Sequence, residues 1–138
     1  MSFRSFFRNL VLPLALAASV SAAWADAARD GAQTALDRYF KALATADYAL
    51  LKKSTTAGYL NTQDPEPVFR DKMRELAEES AFSSVEVLKV ESEKGALRVQ
   101  ALVKSKRKPD GTERTDRQWY RLVHVGGRYR VDRILHRE

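Results

Sequence analysis

The chain has 138 residues, no cysteine and a formal net charge of +6. Without cysteine it can form neither a disulfide nor the thiol-linked lipid anchor of bacterial lipoproteins. The positive charge is concentrated in residues 81–138, which hold 14 Lys and Arg against 8 Asp and Glu, whereas residues 26–80 hold 8 against 10. A basic half suggests nucleic acid or another anionic surface as a partner.

The first 25 residues predict a secretory signal. Arg4 and Arg8 form a basic start, Leu10–Ala18 is an apolar core too short to span a bilayer, and Ala23-Trp24-Ala25 supplies the small residues that signal peptidase reads. We therefore expect a periplasmic or secreted protein cleaved near Ala25, with cleavage after Ala23 as the other option. Such a location argues against nucleic acid as the partner. The alternative for this segment is a helix buried in the domain.

The part of the chain up to residue 80 predicts three helices. Apolar residues at spacings of three and four predict the first over Ala28–Ala46. Asp47 is placed to cap a second helix, Tyr48–Ser54, and Thr55–Asn61 is a turn or one further helical turn. Asp64 and Pro65 predict the start of a third helix, with Asp64 as its N-cap, that runs to about Ser80.

After residue 80 the apolar pattern changes to a period of two, which predicts strands. Val85–Val90 and Leu97–Lys104 give the first two, and Leu88 breaks the alternation, which predicts a bulge. Lys108-Pro109-Asp110-Gly111 is typical of a type I turn, and a third strand, Thr112–Val125, follows it.

Gly126-Gly127 predicts a tight type I′ hairpin turn, because both central residues of that turn need a positive φ. The turn sets a register in which Val125 faces Arg128 and His124 faces Tyr129. Carried outward, this register places Arg121 opposite Asp132 and Trp119 opposite Ile134. We expect one face to pack on the helices: Tyr120, Leu122, His124, Tyr129, Val131 and Arg133. We expect the other, mixed face to meet a partner, and a homodimer through this outer sheet face is one option: Trp119, Val123, Val125 and Ile134.

Helices followed by strands predict an α+β domain over residues 26–138, with three N-terminal helices packed on a four-stranded antiparallel sheet. Two stretches, ALDRYFKALATADYALLKK (Ala35–Lys53) and WYRLVHVGGRYRVDRI (Trp119–Ile134), resemble the nuclear transport factor 2-like superfamily, also called cystatin-like or cone-shaped. The resemblance covers nearly all of Ala28–Leu135. It specifies a fold and no single activity, because the superfamily includes ketosteroid isomerase and polyketide-cyclase-like enzymes, small-ligand binders and protein-interaction modules.

The resemblance implies that the sheet is curved around the first helix and leaves a cone open at one end, whose mouth is the default pocket. Each residue that we expect to line this pocket has an alternative as an ordinary core or rim residue. The candidates are Tyr39, Tyr59, Tyr120, His124 and Arg133.

No catalytic residue, metal site or cofactor is predicted. The histidines, His124 and His136, have no metal-ligand spacing, and the chain has neither a nucleophile elbow nor a phosphate-binding glycine loop. Proton transfer of the isomerase type needs a carboxylate base in an apolar cavity. We expect Asp47 to cap a helix and Asp132 to pair with Arg121, and an ion-paired acid is a poor base.

A basic patch marks the tip of the predicted second hairpin: Lys104, Lys106, Arg107, Lys108, Arg114 and Arg117. It could reach an anionic surface such as lipopolysaccharide, a phospholipid head group or an acidic protein. The alternative is a solvated tip that discourages aggregation. No aromatic residue is interleaved with these charges, which disfavours stacking on single-stranded nucleic acid.

These observations favour a non-catalytic periplasmic or secreted binding or interaction module. Its partner would be a small molecule or an envelope protein. The alternatives are an envelope assembly accessory and a ketosteroid-isomerase-like or polyketide-cyclase-like enzyme that acts on a small apolar ligand.

Overall fold

The computed structural model describes the backbone of residues 3–135 and the side chains of residues 23–135. The helices come first: α1 (Phe3–Ala44), α2 (Tyr48–Ser54), α3 (Ala57–Asn61) and α4 (Glu66–Glu79). The strands follow: β1 (Ser80–Glu93), β2 (Ala96–Arg107), β3 (Glu113–Val125) and β4 (Arg128–Leu135). They form one antiparallel sheet in the order β1-β2-β3-β4. The α+β class and the four antiparallel strands are therefore confirmed.

The helical part of the prediction is confirmed in part. The described residues form four helices, and the additional one, α3, is the further helical turn given as one of the two options for Thr55–Asn61. Thr56 caps it: its hydroxyl oxygen accepts a hydrogen bond from the backbone N–H of Tyr59 at 3.2 Å. This cap stabilises the short helix, because it satisfies one of the N–H groups that have no partner within the first helical turn.

The helix α1 runs unbroken from Phe3 to Ala44, so the predicted signal segment continues directly into the first helix of the domain. Met1 and Ser2 of the predicted signal, and residues 136–138 of the predicted domain, lie outside the described residues. Within the described part of the chain, no helix has both the length and the apolar character needed to cross a membrane. From Ala28 onward, α1 buries a stripe that contains Ala32, Leu36 and Tyr39.

The two predicted caps have different outcomes. Asp47 caps α2, since its Oδ1 accepts a hydrogen bond from the backbone N–H of Leu50 at 3.0 Å. The prediction that Asp64 caps α4 is wrong. The carbonyl of Pro65 accepts the first helical hydrogen bond, from the N–H of Phe69 at 3.0 Å, so Pro65 takes the cap position. Asp64 therefore lies one residue outside the helix, where its carboxylate binds Lys72 at 2.6 Å.

The turn at Gly126 and Gly127 has φ values of 61° and 82°, as a type I′ turn requires. The predicted register holds from Val125 opposite Arg128 as far as Leu122 opposite Val131. Asp132 is then an extra residue in β4. Beyond it the pairs are Arg121 with Arg133, Tyr120 with Ile134 and Trp119 with Leu135, so the two outer pairings predicted from the sequence are wrong.

Contacts from the segment between α2 and α3 account for this bulge. Thr55 forms a parallel bridge with Val131, and the N–H of Thr56 donates to the carbonyl of Val131 at 3.0 Å. Asp132 accepts a hydrogen bond from the hydroxyl of Thr56 at 2.8 Å and another from Arg121 Nη1 at 2.6 Å. The Arg121–Asp132 ion pair is thus confirmed, although the two residues are not directly opposite. A bulge re-aims the side chains beyond it, and Arg133 now falls in register with the outer face.

Two features of the remaining strands complete the fold. The bulge predicted at Leu88 is confirmed by a register shift between Val87 and Lys89. The loop between β2 and β3 is closed by a hydrogen bond from the N–H of Arg107 to the carbonyl of Thr112 at 2.9 Å. The core lies between the helices and the inner sheet face, and its largest fully buried side chains include Leu36, Leu51, Val99, Tyr120, Leu122 and Val131.

Candidate functional site

An apolar groove opens where the C-terminal end of α1 meets α4 and the start of β1. We call it the end groove. Its volume is about 450 Å³, which lies within the range of small-molecule sites. The polar lining residues are Ser80, Ser105 and Lys108. The apolar lining residues are Phe40, Leu43, Ala44, Met73, Leu76, Ala77, Ala81, Phe82 and Val103.

Two phenylalanines form one wall of the end groove. The rings of Phe40 and Phe82 are stacked with their centroids 5.2 Å apart and their planes 9° apart. Phe40 also meets the ring of Tyr39 edge-to-face at 5.2 Å and that of Tyr120 at 6.1 Å. Aromatic pairs in these geometries stabilise beyond the area they bury, by about 0.5–1.5 kcal/mol. The wall is therefore held by the core behind it.

Three of the predicted pocket residues, Tyr39, Tyr59 and Tyr120, come together in that core. The hydroxyls of Tyr39 and Tyr59 are 2.8 Å apart, and the rings of Tyr39 and Tyr120 are 6.4 Å apart. The hydroxyl of Tyr120 donates to Gln118 Oε1 at 2.6 Å. All three rings are buried, and none lines the end groove. They support the groove from behind Phe40.

Burial also fixes the protonation of these tyrosines. Loss of solvent raises the pKa of Tyr39 well above its ordinary value, and the neighbouring Tyr59 raises it further. Loss of solvent also raises the pKa of Tyr59, although its hydrogen bond with Tyr39 partly lowers it. Loss of solvent raises the pKa of Tyr120 as well, and repulsion from Tyr59 and Asp116 raises it further. The phenols therefore stay neutral near pH 7, so they can donate hydrogen bonds and cannot serve as bases.

A wider polar cavity adjoins the end groove and shares Leu76, Ser80 and Ser105 with it. Its charged lining mixes both signs: Glu78, Glu79, Arg107, Glu113, Arg114 and Asp116. Within it, Arg114 Nε lies 3.1 Å from Asp116 Oδ2. A molecule in the end groove could thus extend its polar end into water beside charges of either sign.

The other two predicted pocket residues lie elsewhere. His124 is exposed near the Gly126-Gly127 turn, where its ring meets Tyr129 edge-to-face at 5.0 Å. A smaller cavity of about 320 Å³ there is lined by His124, Tyr129 and residues of α1. His124 lies eight positions along β3 from Asp116 of the polar cavity, roughly 27 Å away at about 3.4 Å per residue. Arg133 is 63% exposed and lies 4.0 Å from Asp132, in register with the outer face because of the bulge.

The basic patch predicted from the sequence divides between the two faces of the sheet. Arg107 and Arg114 line the polar cavity on the helix side. Alternation along the strands places Lys104, Lys106 and Arg117 on the opposite face. Lys108 lies in the loop and lines the end groove. The patch is therefore not one continuous surface.

The carboxylates that could act as a base in an isomerase are engaged elsewhere. Asp47 caps α2, and partial burial of Asp132 is outweighed by the hydrogen bonds of Thr56 and Arg121 and the charges of Arg121 and Arg133, which lower its pKa. The lining of the end groove contains no Asp, Glu or His. Among the described residues, no three His, Cys, Asp or Glu side chains are grouped as a metal ion would need; His136 lies outside them.

Three residues that line the end groove are absent from the pocket predicted from the sequence: Leu76, Phe82 and Val103. The sequence does mark Leu76 and Phe82. Both are large apolar residues close to residue 80, where the spacing of apolar residues changes from that of a helix to that of a strand. In the structure Leu76 is 52% and Phe82 36% exposed. Large apolar side chains that stay exposed together indicate a binding surface.

Comparison with known proteins places the chain by shape only. No protein-family model matches it, and no curated protein matches it. A SEC-C motif containing protein from Rhodopseudomonas palustris, known from its solution structure, is similar in fold with a TM-score of 0.55. The two chains are 19% identical, and the match covers 72% of this chain and 73% of that one. At this identity the likeness concerns the fold alone.

Proposed function

We propose that this chain is a non-catalytic binding module that holds a small apolar molecule in the end groove. The observation that carries the proposal is the stacked Phe40–Phe82 wall beside exposed Leu76, in a groove of about 450 Å³ without a carboxylate or an imidazole. When a ligand covers exposed apolar surface, the free energy falls by roughly 25 cal/mol for each Å² removed from water. An apolar concavity with few polar groups is the usual form of a small-molecule site.

We further propose that the protein belongs to the nuclear transport factor 2-like superfamily, with its sheet curved around α1, and that it acts in the periplasm or is secreted. The element order and the antiparallel sheet agree with this proposal. The location depends on removal of the N-terminal segment near Ala25. N-terminal sequencing of the protein from its own cells tests that step, because an intact Met1 in the mature protein would contradict it.

The enzyme alternative has less support. Proton abstraction needs a base within hydrogen-bond reach of the substrate, and Asp47 and Asp132 are both committed to structural contacts. The buried tyrosines can donate hydrogen bonds but lie behind Phe40. The ligand of the end groove is therefore bound and released unchanged in our proposal.

Fluorescence titration with N-phenyl-1-naphthylamine, a neutral apolar fluorophore, tests the groove. Ala77→Phe places a ring in the groove from α4, and Arg74→Phe adds the same ring at an exposed position of the same helix outside the groove lining. We expect Ala77→Phe to weaken binding at least about tenfold, since the added ring occupies the ligand volume, and Arg74→Phe to leave it unchanged. Equal binding by both variants, or no binding by the unaltered protein, would refute the proposal.

A further inference from the structure

The outer face of the sheet carries a row of arginines that the sequence register did not predict. Arg98 of β2 lies opposite Arg121 of β3, and Arg121 lies opposite Arg133 of β4. The last pair exists because the bulge at Asp132 shifts Arg133 by one position. We call Arg98, Arg121 and Arg133 the arginine row.

Like charges directly opposite each other across strands destabilise a sheet. Asp132 offsets part of this cost, with its Oδ2 2.6 Å from Arg121 Nη1 and 4.0 Å from Arg133 Nε. Further basic residues on the same face surround the row: Lys104, Arg117 and Arg130. Lys106 and Arg128 lie on this face too, and Glu91 of β1 lies opposite Arg98. The part of the face formed by β2–β4 thus carries eight basic residues against two carboxylates, Asp132 and Glu113. Such an excess of positive charge favours a negatively charged partner.

An aromatic anchor lies beside the arginine row. The guanidinium of Arg98 lies over the half-buried ring of Trp119, 4.7 Å from its centroid. The contact between Arg121 and Asp132, and that between Asp132 and Thr56, hold the middle of the row in place. Trp and Arg are the side chains most enriched among the residues that dominate protein–protein binding energy, and prior ordering lowers the entropy lost on binding.

We infer that the outer face of β2–β4 is the docking surface for an acidic protein partner. The charges of β1 favour a protein over a uniformly anionic membrane, because Glu86, Glu91 and Glu93 lie on the same face and would be repelled by such a surface. Arg98 covers one face of Trp119, which reduces the ring's use as a stacking platform for a nucleobase. A second copy of this chain would bring the same excess of basic residues against the first.

The test uses the folded protein and a fluorescent 20-residue poly-glutamate peptide, with binding followed by anisotropy. The face variant is Arg117→Glu with Arg133→Glu, two exposed positions. The control is Lys41→Glu with Arg74→Glu, which makes the same change in net charge at exposed positions of α1 and α4. We expect the face variant to weaken binding at least about tenfold and the control less than about twofold, with the thermal midpoint of both confirming that they fold.

Equal loss in the two variants would show attraction by net charge alone and would overturn the inference, as would absence of peptide binding by the unaltered protein. Three parallel measurements test the other occupants, and each positive result would overturn the inference. Tighter binding to phosphatidylglycerol vesicles or to a 20-nucleotide oligo-dT than to the peptide would assign the face to a lipid or to nucleic acid. A dimer in analytical ultracentrifugation that dissociates in the face variant would assign it to a second copy.

Discussion

Asp132 joins the sheet to the helical layer through Arg121 and Thr56. Its replacement tests how much these two contacts contribute to stability. Asp132→Asn keeps an oxygen that can accept the hydrogen bond of Thr56 but removes the charge that faces Arg121 at 2.6 Å. The side chains of Arg121 and Asp132 are 25% and 23% exposed, so the pair is screened less than an ordinary surface ion pair. Exposed pairs contribute about 0–1 kcal/mol and hydrogen bonds to charged groups about 1.5–3 kcal/mol. We expect a loss of about 1–2 kcal/mol at pH 7.

The charge of Asp132 also makes stability depend on pH. The pKa of Asp132 is lower in the folded protein than its ordinary value, so its charge stabilises the fold above the unfolded pKa, near 3.9, and this contribution is lost as the pH falls through the folded pKa. The stability difference between the unaltered protein and Asp132→Asn should be constant from pH 7 to about 5 and should shrink below about pH 4.

Urea denaturation followed by tryptophan fluorescence at pH 7, 5, 4 and 3 measures this difference. Asp71→Asn, at an exposed position of α4, is the matched control and should change the free energy of unfolding by less than about 0.5 kcal/mol. If Asp132→Asn is as stable as the control at pH 7, or if its loss of stability is the same at pH 3 as at pH 7, Asp132 does not stabilise the fold through its charge.

Three further predictions concern single contacts, each measured as a free energy of unfolding in urea. Tyr39→Phe leaves the buried hydroxyl of Tyr59 without its 2.8 Å partner and should destabilise the protein by about 1–2 kcal/mol. The double variant with Tyr59→Phe should lose less stability than the sum of the two single losses. Strict additivity would show that the two hydroxyls are not coupled. Asp47→Ala removes the cap of α2 and should lower stability by about 1 kcal/mol, whereas an unchanged midpoint would mean that α2 is held by packing alone. Gly127→Ala forces a side chain onto a φ of 82° and should destabilise by about 1–2 kcal/mol, with Gly127→Asn less affected; the opposite order would contradict the turn assignment.

Local patterns were sufficient to predict the elements whose cause is local. Alternation and the paired glycines predicted the antiparallel strands and the type I′ turn, and Leu88, which breaks the alternation, predicted its bulge. Asp47 was recognised as a cap because it immediately precedes the helix that it caps. In each case the residues that determine the structure are neighbours in the chain.

The bulge at Asp132 could not be read from local pattern, because its cause lies 76 residues away. Thr56 donates to Asp132 and, through its backbone, to Val131, and nothing in the alternation of β4 records that contact. The predicted register therefore places Arg133 on the inner face and does not bring the three arginines into one row. A one-residue shift reverses the face of every later side chain.

The candidate site was only partly predictable for a related reason. The tyrosines were recognised as inward-facing, but whether they line a cavity or fill one depends on how closely Phe40 and Phe82 pack in front of them. Packing at that scale is set by side chains from three elements at once. Leu76 and Phe82 give the more direct indication of a site, since two large apolar residues exposed in one groove form a patch that folding alone leaves uncovered.

The place where α1 begins to contribute buried residues has a consequence for the proposed cleavage near Ala25. Among the side chains that the structure describes, the first member of the core cluster is Ala28. Of the described side chains that a cut after Ala25 would remove, those of residues 23–25, none belongs to that cluster. The new helix would open with Asp26, followed one turn later by Asp30. Carboxylates in the first turn of a helix interact favourably with the partial positive charge at the helix N-terminus. Processing would thus leave a shorter helix that starts with a favourable charge where the longer one has none in its first turn.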